Sequence, residues 1–397
     1  MGLNVGNSLT SRFLHIAVPC KLYKHNENVW HALASRIGHA YWKLAHEGFE
    51  YNGQTWYACC VGLTGDAPYL SKAGCLERNY ARVSKTTGAR AKAGICFECM
   101  AGSSDGTTEI PFEDLSFKPK WRETESWAPL PWKRDPPFLT ALQDLRPEML
   151  QYDSQLKDDI WHNFHGGMGK LFVASCVAEL LPALREQGKV DENLEALHEH
   201  YCAWSRSPAG LRLHYSKFDK DTFGLGSNMT CPTGAWNKFA DTRVFLAWLE
   251  SFLASDKFVP SAITDEMVRA TKEINRCFSL LYRSGVWLTK TEASTAGNHG
   301  MQFLHSYARL AHYTLQQSRI RFAMVPKVHF THHPMLGMLE SAAKRTWTVN
   351  PLTFSVQLDE DLVGQVSRSS RRVGSVKQME RTIGRWKIAA WLAMEGH

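Results

Sequence analysis

The chain has 397 residues, of which 44% are hydrophobic and 21% charged, and its formal net charge is +7 at pH 7. That length can bury one elaborated core or two interlocked ones. No apolar run reaches the roughly 18 residues of a membrane span and the N-terminal residues do not resemble a signal peptide, so we expect no membrane partner and a reducing compartment. The 10 cysteines would then be free thiols apart from at most one metal site.

The first predicted elements are a strand over residues 12–23 and a helix over residues 29–44. The strand segment is rich in β-prone residues and partly alternating. The helix has apolar side chains at helical spacing, Asn26 or Asn28 can cap its start, and Gly48 can close its end. The N-terminal part is therefore expected to be mixed α/β.

A second strand, over residues 55–63, is short and apolar and is predicted to be buried. It runs into the sequence Gly-Asp-Ala-Pro, so Asp66 follows its end. Beyond it, Cys96 and Cys99 form a CxxC pair, a spacing at which two thiolates can bind one zinc ion from a tight loop. One pair is only half a site, and two unligated thiols explain it as well as zinc does. A redox role fits less well because no thioredoxin-like βαβ pattern surrounds the pair.

Residues 101–150 are irregular and rich in proline and tryptophan. Frequent tryptophans need a surface to pack against, so we predict a connector that wraps over the protein rather than a flexible tether. After it, Asp158 and Asp159 precede His162 and a glycine-rich start to an apolar run, which suggests a site at the mouth of a buried helix. Apolar stripes then predict an α-helical block over residues 169–319. Its clearest helices are expected around residues 194–204, 244–253, 267–281 and 304–315.

The C-terminal part combines histidines, acids and arginines. Residues 319–325 are predicted as a strand that Pro326 breaks, with the HxxxH pair His329 and His333 directly behind it. Glu360 lies in or at the start of a helix that continues into a basic end, although compensation of the helix dipole produces the same charge order. Arginines that could contact a phosphate backbone follow, and a solvated helix face is the commoner explanation of them. They are Arg368, Arg371, Arg372 and Arg381.

The order of these motifs is more specific than any one of them. A strand ending in GD-x-P is followed by CxxC, then by DxxH from Asp159 to His162, a helical block, HxxxH, and an acid on a basic helix. This order resembles the catalytic core of eukaryotic cut-and-paste transposases of the DDE type, most closely the CACTA (En/Spm-like) group. The resemblance implies an α/β fold with an RNase H-like mixed sheet and a large all-α insertion before the last catalytic acid.

The resemblance also implies roles for single residues. Asp66 would be the second catalytic acid, Glu360 or Asp359 the last, and Asp159 a stand-in for the first acid, although the DxxH motif is more often architectural. The acids would hold two Mg²⁺ or Mn²⁺ ions for strand cleavage and transfer on DNA. A structural Zn²⁺ site would use Cys96, Cys99, His329 and His333, with His162 as a further candidate metal residue.

The family's first acid has no counterpart, because no aspartate precedes residue 66. We therefore expect a truncated or decayed transposable element whose protein is inactive. We expect it to be nuclear and to bind DNA and no small-molecule substrate, and a homo-oligomer is possible. The alternatives are a non-catalytic, zinc-stabilised DNA-binding or chromatin-associated module and a helical interaction protein. Four parts are predicted: the first strands of the core with CxxC over 1–100, the connector over 101–150, the helical insertion over 151–325, and the HxxxH segment with the acid-bearing basic helix over 326–397.

Overall fold

The structure is a computed structural model, and it describes residues 7–83, 93–104, 109–125, 130–142, 155–184, 189–226, 229–255, 261–374 and 376–395. Helices predominate and the strands are short, so the expectation of a mixed α/β chain is confirmed. Within these ranges the strands form three two-stranded sheets. None of the helices in the described ranges combines the length and the hydrophobicity that a bilayer-spanning segment needs.

The N-terminal segment contains helices where a strand was predicted. Helix α1 covers Ser8–Ser11 and α2 covers Cys20–Tyr23, with extended chain between them. The predicted strand is wrong because this extended chain finds no partner strand among the described residues, and an unpaired strand leaves its backbone groups to solvent. The predicted helix is confirmed as α3, Glu27–His46, whose first turn is capped by the side chain of Asn26.

The segment predicted as a single buried strand is divided in two. Strand β1 (Phe49–Tyr51) pairs antiparallel with β2 (Gln54–Trp56), and six residues separate β2 from β3 (Leu63–Gly65). Asn52 and Gly53 both have positive φ, which is the backbone of a tight hairpin turn. The single-strand prediction is wrong because residues 55 and 56 belong to the hairpin, residues 57–62 have no regular structure, and only residue 63 belongs to β3.

A parallel strand pair connects the two halves of the chain. Strand β3 pairs in parallel with β4 (Leu156–Asp158), and Gly65 is the register partner of Asp158. Helix α4 (Ala67–Ala73) starts directly after β3, and Asp66 is its N-cap. Both strands therefore end at the same edge, where Asp66 and Asp159 follow them.

The connector packs on the rest of the protein as its tryptophans predicted. Trp121 is fully buried in a 3₁₀ turn over Lys120–Thr124, and Trp132 is 8% exposed just before helix α5 (Pro137–Leu142). Trp127 and residues 143–150 lie outside the described residues.

The helical block is confirmed. A π-helix over Trp161–Met168 runs into α6 (Gly169–Leu184), and the four predicted stripes fall on helices α7, α9, α10 and α11, which bury them in the main core. The further helices are α7 (Val190–Ser205), α8 (Lys220–Phe223), α9 (Ala240–Leu253), α10 (Ala262–Arg283) and α11 (Lys290–Gln316). The main core also includes residues from 95 to 121 and from 322 to 352, so it extends beyond the predicted insertion.

The segment before the HxxxH motif is not a strand. Ser318 and Phe322 have positive φ, which interrupts an extended backbone, and the amide of Phe322 donates to the hydroxyl of Ser175. Pro326 does not break an element but occupies the first turn of α12 (Pro326–Lys344), where its missing amide proton costs nothing. The remaining elements are β5 (Trp287–Thr289) paired antiparallel with β6 (Trp347–Val349), α13 (Gln357–Ser370) and α14 (Gln378–Glu395).

Candidate metal centre and acid–histidine network

The CxxC pair lies in a tight, buried loop. Gly94 and Gly102 flank it with φ of +84° and +76°, a conformation that favours glycine, and the amide of Ile95 closes the loop on the carbonyl of Ala101. The amide of Glu98 points at Sγ of Cys96, 3.3 Å away. These features aim both sulfur atoms inward.

Helix α12 supplies the other half of the centre. His329 and His333 are four residues apart, so they lie on one face of the helix one turn apart. The Nε2 atom of His329 is 3.4 Å from Sγ of Cys99, and Nε2 of His333 is 3.5 Å from Sγ of Cys96. All four ligand atoms lie within 4.8 Å of one another and all four residues are buried. The four predicted ligands therefore converge on one point and could hold a metal ion.

Carboxylates surround the far side of His333. Its Nδ1 atom is 3.1 Å from an oxygen of Glu98 and 3.1 Å from an oxygen of Glu125. Such outer partners fix the imidazole so that the other nitrogen faces the centre with its lone pair. Arg122 pairs with Glu125 and also, at 2.6 Å, with Glu340 of α12, so the connector is tied to the same helix.

The centre is buried and packs against Trp121. The ring of fully buried Trp121 lies 4.7 Å from His329 and 4.3 Å from His333, between centroids. Burial raises the pKa of the Cys99 thiol, but hydrogen bonding with Cys96 and the charge of His329 outweigh it and hold that pKa well below its usual value. A thiolate, which is the metal-binding form, is thus favoured at Cys99.

Asp66 and Asp159 lie at the ends of neighbouring parallel strands but in different surroundings. An oxygen of Asp66 accepts a hydrogen bond from the amide of Tyr69, 2.8 Å away, and the residue borders an open cavity. Its side chain thus caps α4 and remains accessible from the cavity.

The carboxylate of Asp159 is enclosed and fully used. One oxygen accepts from the amides of Trp161 and Val356, at 2.9 and 3.2 Å. The other accepts from the amide of His162 and lies 2.5 Å from its Nδ1 atom. With 1% of its side chain exposed, Asp159 joins the π-helix to the start of α13, which is an architectural role.

His162 bridges Asp159 and Glu360. Its Nε2 atom is 2.9 Å from an oxygen of Glu360, whose side chain is 47% exposed. Burial lowers the pKa of His162, but the hydrogen bonds and charges of the two carboxylates raise it to about 9. The hydrogen bond from His162 lowers the pKa of Glu360 against the effect of burial. The His162 imidazolium and the Glu360 carboxylate are therefore charged together at neutral pH.

The predicted site residues thus form two groups. His162 lies in the acid–histidine network and outside the four-residue Cys/His centre. It borders the same cavity as Asp66, so Asp66, Asp159 and Glu360 are brought to one region of the molecule. Asp359 instead pairs with Arg12, 3.0 Å away.

The four predicted DNA-binding arginines are exposed at the C-terminal end of the described chain. Arg368 is in α13, Arg381 is in α14, and Arg371 and Arg372 follow the end of α13. Arg368 shares α13 with Glu360, and none of the four arginines belongs to the Cys/His centre.

Sequence reasoning missed two lysines beside Asp66. Lys170 and Lys327 line the cavity that Asp66 and His162 border. Their spacing does not predict a shared site, because 157 residues separate them in the sequence. The only local signal is the group of glycines at 166, 167 and 169, which allows another segment to approach closely.

No family model, curated protein or solved structure matches this chain.

Proposed function

We propose that the chain derives from the catalytic core of a cut-and-paste transposase, and that it is a zinc-stabilised DNA-binding protein without strand-cleaving activity. The observation that carries this proposal is the arrangement at the end of the β3–β4 pair. There Asp66 borders one cavity with His162, and His162 contacts Glu360. An RNase H-like core is the fold we propose around this strand pair, extended by helices.

Zinc is the metal that best fits the Cys/His centre. Zinc lies about 2.3 Å from sulfur and about 2.0–2.1 Å from nitrogen, which at a tetrahedral angle places sulfur and nitrogen ligands about 3.5 Å apart. The three sulfur–nitrogen distances of 3.4, 3.5 and 3.6 Å agree with that value. Two thiols and two imidazoles in a closed, buried set are typical of a structural site with no open position for a substrate.

The acidic group would hold Mg²⁺ or Mn²⁺ in an active relative, through hard carboxylate oxygens. Two such ions activate the attacking hydroxyl and stabilise the leaving oxygen of a phosphodiester. In this chain, Asp66 and Glu360 have accessible oxygens, but all oxygens of Asp159 are occupied by amides and His162. Asp159 therefore cannot replace a first acid without unfolding its own surroundings, which supports the proposed loss of cleavage.

DNA binding without cleavage is supported by the exposed arginines of the C-terminal helices. Each phosphate contact releases counterions, so the affinity should fall as salt rises. Arg371 and Arg372 are the sharpest test, because they are adjacent and exposed, and neither contacts the Cys/His centre. Arg276, which is 51% exposed on α10, offers a matched control on another surface.

The test combines duplex binding with a nicking assay in Mn²⁺. We expect salt-dependent binding, a loss of about one unit of salt slope for each of Arg371→Ala and Arg372→Ala, and little change for Arg276→Ala. We expect no nicking by the wild type or by Asp66→Asn. Absence of DNA binding would refute the proposal, and wild-type nicking that Asp66→Asn abolishes would refute its second half.

A further inference from the structure

A cavity of about 520 Å³ opens beside Asp66 and is large enough for a nucleotide-sized ligand. It lies between the π-helix, the start of α6 and the start of α12. Its polar lining includes Asp66, Tyr80, Asn163, Lys170, Thr233 and Lys327. Apolar side chains, among them Leu171, Val325 and Phe330, form the remaining wall.

Two ammonium groups of this cavity have unused donors. Nζ of Lys170 donates to the carbonyl of Trp236, 2.6 Å away, and Nζ of Lys327 donates to the carbonyl of Gly166, 3.1 Å away. An ammonium group has three donors, so both lysines can bind a further acceptor. Burial, together with the charge of Lys327, lowers the pKa of Lys170 to about 8, a sign that two cations share a partly dry space.

Asn163 adds a neutral donor. It is 5% exposed and lines the cavity. A side-chain amide offers two N–H donors to a bound acceptor. This is an observation independent of the lysine charges.

Among the described residues, the cavity lining has two lysines and one carboxylate. Asp66 is the carboxylate in its lining, whereas Asp159 and Glu360 are turned to the two nitrogens of His162. Both ring nitrogens of His162 contact those two carboxylates. Asp66 and Asp159 partly offset the charge of Lys327, and the unused donors of both ammonium groups remain available to an anion.

The backbone is shaped to let Lys327 reach this position. A Cβ atom on Gly167 would clash with the aliphatic chain of Lys327, so the absence of a side chain there gives the lysine its path. The stem of Lys327 then lies along the π-helix, with its ammonium at the carbonyl of Gly166.

We propose that this cavity binds the phosphoryl group of a nucleotide, held by Lys170, Lys327 and the amide of Asn163, with the nucleoside against the apolar wall. The nucleotide is either the end of a nucleic-acid strand or a free nucleoside phosphate, and the first source rests on the proposed DNA-binding function. Ammonium–phosphate hydrogen bonds are charge-assisted and are stronger than neutral ones. Bound there, the phosphoryl group would lie beside Asp66.

The experiment measures equilibrium binding of three probes to the full chain: dAMP, a short 5′-phosphorylated single strand, and the same strand with a 5′-hydroxyl. Lys170→Met and Lys327→Met keep the aliphatic stems and remove the charges, and Asn163→Asp keeps the shape and adds a repelling charge. Lys272→Met, at an exposed position of α10, is the matched control. We expect each cavity variant to weaken binding about tenfold or more, and the control to leave it unchanged. Circular dichroism checks that each variant is folded.

The probes separate the sources. Lysine-dependent binding of dAMP indicates a free nucleotide, and lysine-dependent preference for the 5′-phosphorylated strand indicates a strand end. The inference is overturned if the wild type binds neither dAMP nor the 5′-phosphorylated strand, or if both lysine variants, folded, bind these two probes as the wild type does. Loss of duplex binding with retained dAMP binding would refute the proposed function and leave the cavity assignment standing.

Discussion

At the residue scale, Asp66 and Asp159 show how similar positions can have different roles. Both follow parallel strands that end side by side, yet Asp159 accepts bonds from elements far apart in sequence, whereas Asp66 caps the helix that follows it. The difference comes from what packs on them. The start of α13 covers Asp159, while an open cavity borders Asp66.

Replacing Asp159 with asparagine should therefore cost much more stability than the same change at Asp66. In Asp159→Asn an amide group faces backbone amides and His162, so a buried donor is left unpaired, at a cost of about 1–3 kcal/mol. Asp66→Asn should be nearly neutral, because asparagine is an equally good helix cap. Urea denaturation of the two variants and the wild type measures this difference. Equal stabilities of the two variants would contradict the architectural role.

His165 gives a pH dependence. Burial, with the charge of Arg243, lowers its pKa to about 3, whereas the unfolded value is about 6.5. Between these values the unfolded chain binds the extra proton, so the stability contributed by neutral His165 is complete above about pH 6.5 and is lost as the pH falls.

We expect the wild type to lose about 2 kcal/mol more than His165→Gln between pH 7 and pH 5, at about 1.4 kcal/mol per pH unit below 6.5. The measurement is the free energy of unfolding at both pH values. Because other titrating groups are shared, the difference between the two proteins isolates His165. If the free energies of unfolding of the two proteins change equally with pH, protonation of His165 does not destabilise the folded protein.

At the element scale, the Cys/His centre is one of several contacts that join the loop around Cys96 and Cys99 to α12. Without the ion, Cys96, Cys99, His329 and His333 would leave thiols and ring nitrogens buried against one another. If zinc closes this link, removing it restores the freedom of the long loop between Cys99 and His329, 230 residues apart. By analogy with a disulfide, the greater freedom of the unfolded chain lowers the free energy of unfolding by about 5 kcal/mol.

We expect one zinc per chain in metal analysis of the wild type and of Cys59→Ser, an exposed thiol outside the centre, and none in Cys99→Ser. Cys99→Ser and chelator-treated wild type should both unfold at clearly lower temperature. Wild-type protein that contains no zinc, or that keeps its melting temperature after chelation, would exclude a structural zinc.

The elements that sequence could predict are those with local signals. α3 has its capping Asn26, and the helical block has stripes that become its core faces. The hairpin at Asn52 and Gly53 was missed although its dipeptide is a strong turn signal, because an apolar run beyond it matched a strand better. The sequence predicts a break at Pro326, whereas the residue starts α12, because a proline that begins a helix and one that ends a strand give the same local signal.

At the scale of the whole molecule, the candidate site could be predicted only through motif order. The CxxC and HxxxH motifs are about 230 residues apart in the sequence, yet their order predicts one shared centre. The structure brings the four predicted ligands together. Lys170, Lys327 and Asn163 have no such signature. Their role comes from the packing of α12 on the π-helix, which creates the cavity, and packing across that distance leaves no periodicity in the sequence.

The distance along the chain between the two halves of the metal centre also has a consequence in time. A ribosome adding about 5–20 residues per second needs about 10–50 s to synthesise the chain from Cys99 to His329. During that interval the thiols have emerged but their histidine partners do not yet exist. The order of synthesis thus leaves the two thiols of the cysteine loop exposed to oxidation or to other metal ions at first. They become buried only when α12 has been synthesised and packs on the loop.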